Sequence, residues 1–305
     1  LTQPTVQQLI ADTVQQQPEQ VTNLTQLVYQ KTGGNPFFFR QFMQELYQRE
    51  LLHFDYQDAS WRWSVTAIDQ QCMTDNVVEL MLHKIDRLSD PQQLLLQQAA
   101  CIGASFSLEL LQQLNQISGQ ALLERLQPIF AEGLLVPVRS HATEADSEIR
   151  SARFLHDRVQ QAAYSKWSDE ARLHTHYQLG CLLLQDLGDD GIEEHCFPLV
   201  THFNQALHLL DVTECQQVIQ LNHRAALKAK AATAYSTAVN YLDQVFALNQ
   251  RITELAEVGR SAENSSSAPD NALLIDASLE KLECLYLAGE YQTAEALKDE
   301  IYAQC

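Results

Sequence analysis

At 305 residues, with 46% hydrophobic residues and a formal net charge of -19, the chain is long enough for two or three domains with their own cores. The acidic balance argues against a DNA or RNA surface, which needs clustered Lys and Arg to neutralise phosphates, and against an anionic membrane surface. Only 10 glycines and 8 prolines interrupt the chain, so helix is favoured over sheet and a mostly α fold is expected.

No charged segment followed by an apolar core resembles a signal peptide, and Gln, Glu or Ser breaks each apolar run before it reaches bilayer length. The seven cysteines show no C-x-x-C and no regular spacing, which fits a reducing cytoplasm. The chain begins at Leu1 and ends at Cys305 inside a helical pattern, so a piece of a longer cytoplasmic protein is expected.

Val6, Leu9 and Ile10, then Leu24, Leu27 and Val28, lie at helical spacing and predict helices over 5–13 and 21–31. Thr32-Gly33-Gly34-Asn35-Pro36 breaks the pattern, and Phe37 to Leu46 restarts a helix with Pro36 in its first turn. Alternation then takes over at Leu52, Phe54 and Tyr56 and at Trp61 and Trp63, predicting a β-hairpin with a polar tip. The plain account of G-G-N-P-F-F-F is a helix stop, a turn and a helix start. In a compatible functional account, Gly34 lets backbone approach a flat ligand and Pro36 offers it a rigid apolar ring face.

The segment 76–88 reads as an amphipathic helix, and Ser89-Asp90-Pro91 starts another through Cys101. Helices over 108–114 and 121–131 follow, the second ended by Gly133. Leu134 to Val138 predicts a strand stopped by Pro137, the polar segment 140–148 a connection, and Ile149 to Leu155 a second strand. Three helices and a two-stranded wing form the winged-helix plan. Its third helix carries Glu124, Arg125 and Glu132 rather than a basic face, which disfavours insertion into a DNA groove. His156-Asp157 falls where the second strand gives way to the next helix. It reads either as a surface pair at a helix start or as a ligand contact.

From Ser168 the pattern is helical to the end, with an acidic turn at 189–194 and a loop at 259–271. His174 and His176 lie on different faces of one helix, and His195 and His202 lack partners at ligand spacing, so no metal site is expected. The spacing of Ala288-Gly289, Tyr291 and Ala294 is similar to a tetratricopeptide turn and second helix, and such stacked pairs present concave faces to peptides or other domains.

Two motifs carry a resemblance to a known family. T-G-G-N-P-F-F-F resembles the G-x-P motif of STAND-type signalling ATPases, AAA-related NTPases of large regulators, with Gly34, Asn35 and Pro36 at the matching positions. F-L-H-D-R-V-Q-Q-A-A-Y is similar to the end of their winged helix, where Leu155-His156-Asp157 matches the Met-His-Asp motif with Leu for Met. The resemblance implies that Pro36 lies against adenine in a helical lid and that His156 contacts the β-phosphate of ADP, with Asp157 orienting the ring or anchoring the turn. The expected architecture is a lid with a hairpin over 1–70, a winged helix over 71–167 and a TPR-like antiparallel helical array over 168–305.

The chain has no G-x-x-x-x-G-K-[ST] and no strand ending in paired acids, so it is not expected to be an enzyme by itself. ATP or ADP, with its magnesium, would be held by an upstream P-loop domain. The whole pattern resembles the middle of large bacterial serine/threonine kinases that also carry GAF and histidine kinase domains. Those domains would be its intrachain partners, with a further protein on the helical array. The alternatives are an interaction scaffold without nucleotide sensing and the middle of a LuxR-type transcription regulator.

Overall fold

The computed structural model describes residues 1–71, 77–139, 149–186, 196–259 and 271–304, and it is mostly helical. The chain divides into two compact units. The first takes in residues 1–96, 128–136 and 154–166, and the second takes in 97–127, 137–153 and 167–305.

In the first unit, helix α1 (Gln3–Val14) begins with Pro4 in its first turn and buries Val6, Ile10, Ala11 and Val14, a stripe at spacings of three, four and one. A single 3₁₀ turn (Pro18–Val21), fixed by reciprocal capping between Gln17 and Gln20, leads into α2 (Thr22–Thr32). Helix α3 (Pro36–Gln48) lays Phe42, Met43 and Leu46 on the same core as Leu24, Leu27 and Val28. The expected hairpin is present as β1 (Leu52–Asp55) and β2 (Ser60–Trp63), antiparallel with Leu52 opposite Trp63. Its tip is closed by Asp55, whose carboxylate accepts from the backbone N–H of Gln57 at 2.9 Å.

A short helix that the sequence reading did not anticipate, α4 (Val65–Gln71), follows and buries Ile68 completely. Helix α5 (Val77–Asp86) packs against α9 (Asp157–Ser165), which contributes Val159, Ala162 and Ala163. The division between the units passes through α6 (Asp90–Ile102).

The second unit holds β3 (Ser105–Ser107) and α7 (Leu108–Asn115), and most of α8 (Gly119–Ala131), β4 (Leu135–Arg139) and β5 (Ile149–Phe154). The three strands are ordered β3-β5-β4, so the expected pair gains a third member, with Ser105 opposite Arg153. Pro137 does not stop β4, which runs on to Arg139. Its strand lies at the sheet edge, where a missing N–H need not break the ladder. The expected connection at 140–148 and the acidic turn at 189–194 lie outside the described residues.

The helical array consists of α10 (Asp169–Asp186), α11 (Cys196–Gln205), α12 (Val212–Ala231), α13 (Tyr235–Gly259), α14 (Asn271–Ala288) and α15 (Tyr291–Gln304). Each of the last three packs against its predecessor, as α11 does against α10. Close approach depends on small residues: Ala225, Ala226, Ala229 and Ala238 are buried, and the Phe203 ring lies where a side chain on Gly180 would stand. The loop read at 259–271 is bounded by the ends of α13 and α14, and 260–270 lie outside the described residues.

Candidate functional site

The turn between α2 and α3 is built by two glycines in the left-handed region. Gly33, at φ 58°, caps α2 through its N–H to the Tyr29 carbonyl at 2.9 Å. Gly34, at φ 71°, lies under the backbone of Leu1, whose nitrogen donates to the Gly34 carbonyl at 2.6 Å. The backbone that comes nearest to Gly34 is that of Leu1. The Asn35 side chain caps α3, with Oδ1 accepting from the N–H of Phe37 at 2.9 Å and of Phe38 at 3.3 Å. Pro36 occupies the first helical position and is exposed.

His156 stands in extended conformation (φ −153°) as the N-cap of α9. The Arg158 N–H reaches both the His156 Nδ1 at 3.1 Å and the Asp157 Oδ1 at 2.7 Å, and Nδ1 and Oδ1 are themselves in close contact. Nδ1 is thus taken up by the helix start, whichever of the two groups holds the proton, while Nε2 has no hydrogen-bond partner among the described residues. Asp157 is 79% exposed and favours the helix N-terminus by its charge, whereas His156 is 29% exposed. Both the helix-stop reading of G-G-N-P and the helix-start reading of His-Asp thus describe real geometry.

The two motifs, 120 residues apart in the chain, meet in the first unit. The Phe37 ring stacks on the His156 imidazole with centroids 4.7 Å apart and planes 14° from parallel. Phe38 meets the same imidazole at 5.6 Å, tilted by 49°.

Phe37 begins a second face of α3 that sequence reading missed. Phe37, Gln41, Glu45 and Gln48 follow one another at helical spacing, away from Phe42, Met43 and Leu46. Gln41 accepts from the Lys84 ammonium, which also reaches the Glu132 carbonyl at 3.4 Å. Glu45 Oε1 accepts from Arg49 at 2.6 Å and Arg87 at 2.7 Å, and Gln48 accepts from Arg87 at 2.9 Å. Lys84 is fully buried, and burial holds its pKa below the usual lysine range against the pull of Glu132 and Glu45. One signal was available: with Met81 and Ile85, Lys84 occupies the apolar stripe of α5.

Sequence spacing also gave His202 no partner. In the second unit its Nδ1 lies 2.9 Å from the Nδ1 of His176, with both side chains buried between α10 and α11. Burial, and then His176, depresses the pKa of His202 to about 4. A folded pKa below the unfolded value means that the unfolded chain takes up the proton first, so this stability is complete above the ordinary 6.5 and is lost progressively toward 4. The loss is on the order of 3 kcal/mol. Urea unfolding at about pH 7 and about pH 4.5 should show a steeper loss for the native chain than for His202→Gln. Among the described residues, no three His, Cys, Asp or Glu side chains are grouped to hold a metal ion, and no helix is long and apolar enough to cross a membrane.

No family model and no solved structure matches the chain. It is 26% identical over 336 residues to hybrid signal transduction histidine kinase G of Dictyostelium discoideum. The similarity takes in 95% of this chain and 10% of that protein. This relates the chain to a signalling protein.

Proposed function

We propose that this chain is the nucleotide-sensing regulatory part of a STAND-type signalling ATPase within a multidomain cytoplasmic protein kinase. Pro36 offers its exposed ring to the adenine of ADP or ATP, and His156 donates from Nε2 to a phosphate. The phosphate cradle and magnesium ligands belong to an upstream P-loop domain. Helices α6 to α8 and strands β4 and β5 serve as its winged helix. The helical array, in TPR-like fashion, relays the nucleotide state to effector domains.

The observation that carries this reading is the meeting of the Pro36-Phe37 turn with His156. The residues present fit such a ligand in part. Among the described residues they supply one exposed apolar ring and one imidazole whose Nε2 has no hydrogen-bond partner, but no run of backbone donors to enclose a diphosphate. That division of labour is why the reading needs a second domain. The relation to a signal transduction histidine kinase supports the kinase setting.

With Nδ1 accepting from the Arg158 N–H, the neutral ring carries its proton on Nε2 and can donate it to a phosphate. A charge-assisted hydrogen bond of this kind contributes about 1.5–3 kcal/mol, so His156→Ala should weaken ADP binding by roughly 10- to 100-fold. Calorimetric titration of the full-length gene product checks this, and unchanged affinity would remove the basis of the reading.

A further inference from the structure

We infer that Phe37 is the positioning residue of His156: its ring fixes the imidazole plane and thereby aims Nε2 at the phosphate. The inference rests on the proposed nucleotide reading and adds to it a residue outside the matched positions Gly34-Asn35-Pro36 and Leu155-His156-Asp157.

An imidazole at a helix N-cap has two side-chain torsions to settle. Its Nδ1 edge is held by the start of α9 through Arg158 and Asp157. An edge contact alone leaves the ring free to swing about that edge. The second constraint comes from the face, where Phe37 lies nearly parallel at 4.7 Å, and Phe38 meets the ring at an angle. With both constraints in place, the direction of Nε2 is determined.

Phe37 is itself well anchored. Its backbone N–H is capped by Asn35, its neighbour Pro36 has a fixed φ, and its ring meets Phe38 edge-on at 5.5 Å. Asn35 therefore acts on the site at one remove, by holding the helix start that carries Phe37. Pro36 and Phe37 are adjacent residues, so the apolar surface offered to adenine and the support for the phosphate donor share one rigid turn. A shift of that turn moves the donor with it. A stacking ring also leaves the Nε2 edge open, whereas a side chain at position 37 that turned a polar group toward that edge would compete with the phosphate for it.

The test uses Phe37→Leu, Phe37→Tyr, His156→Ala and Phe37→Leu/His156→Ala in the full-length gene product. ADP affinity and the imidazole carbon-bound proton resonances of His156 are the two readouts. In the native protein the Phe37 ring current should shift those resonances upfield. Phe37→Leu is expected to abolish that shift and weaken ADP binding about tenfold, whereas Phe37→Tyr keeps both. The double variant should bind no worse than His156→Ala, within about twofold, because the two residues act as one unit. If His156→Ala weakens ADP binding and Phe37→Leu does not, the positioning role is wrong while the nucleotide reading stands. If His156→Ala itself changes nothing, the nucleotide reading falls. Should Phe37→Leu fail to fold, Phe37→Met takes its place. Native resonances without an upfield shift overturn the inference whatever the variants do.

Discussion

Replacing Glu45 with alanine should lower the unfolding free energy of the first unit by about 3 kcal/mol, the lower edge of what breaking a buried ion pair costs. Glu45 is 1% exposed and accepts from both Arg49 and Arg87, and its charge is one of two that favour the ammonium of the fully buried Lys84. Removing the carboxylate leaves Lys84 with Gln41, a long contact to the Glu132 carbonyl and the charge of Glu132 to offset its lost hydration. The cost stops near the lower edge because both arginines reach solvent and rehydrate. For the same reason Arg87→Ala should cost less than Glu45→Ala, since Arg49 still pairs with the carboxylate. Lys84→Met, close in volume and without charge, should be milder than either, because an apolar replacement escapes the desolvation cost. Urea unfolding monitored by tryptophan fluorescence reads the first unit through Trp61 and Trp63, which pack on its core. A loss below about 1 kcal/mol in Glu45→Ala would mean that the cluster is hydrated in solution.

Gly34→Ala is expected to be the most damaging glycine-to-alanine change among the described residues. An L residue at φ 71° carries left-handed strain of about 1–2 kcal/mol. The added carbon would also overlap the Leu1 carbonyl oxygen and stand 2.9 Å from the Tyr29 ring, and overpacking of this kind costs about 1–3 kcal/mol more. Gly33→Ala makes the internal control. Its φ of 58° carries comparable strain, but nothing lies within 4 Å of the new carbon, so about 1 kcal/mol is expected. Thermal melts of the two variants should separate clearly. Equal effects would show that conformation alone, and not the approach of Leu1, requires glycine at position 34.

Most of the secondary structure was legible because its signals are local. Pro36 and the run Ser89-Asp90-Pro91 stand at or beside helix starts, and the apolar stripes of α1, α2 and α3 fall at helical spacing. What escaped depends on distant residues. Ser105–Ser107 has no strand pattern of its own and pairs because Ser151 to Arg153 lies opposite it. Pro137 ends a strand in isolation, but an edge position tolerates it. Helix α4 is too short for its periodicity to show, yet Ile68 anchors it in the core. The candidate site divides in the same way. Gly34, Asn35, Pro36, His156 and Asp157 could be named from short motifs. That Phe37 would stack on His156, that Gln41 and Glu45 would meet Lys84 and Arg87, and that His176 would find His202 are tertiary facts. Lys84 was the most readable of these, because a lysine on an apolar stripe needs a buried partner somewhere.

The most direct test of the nucleotide reading compares ADP with adenosine in the full-length gene product. If His156 holds a phosphate and Pro36 holds the base, His156→Ala should weaken ADP by at least about tenfold and leave adenosine unchanged. Pro36→Ala should weaken both ligands, adenosine included, because it removes the ring offered to the base. A His156→Ala protein that loses ADP and adenosine equally, or neither, would contradict the assignment of the imidazole to the phosphate end.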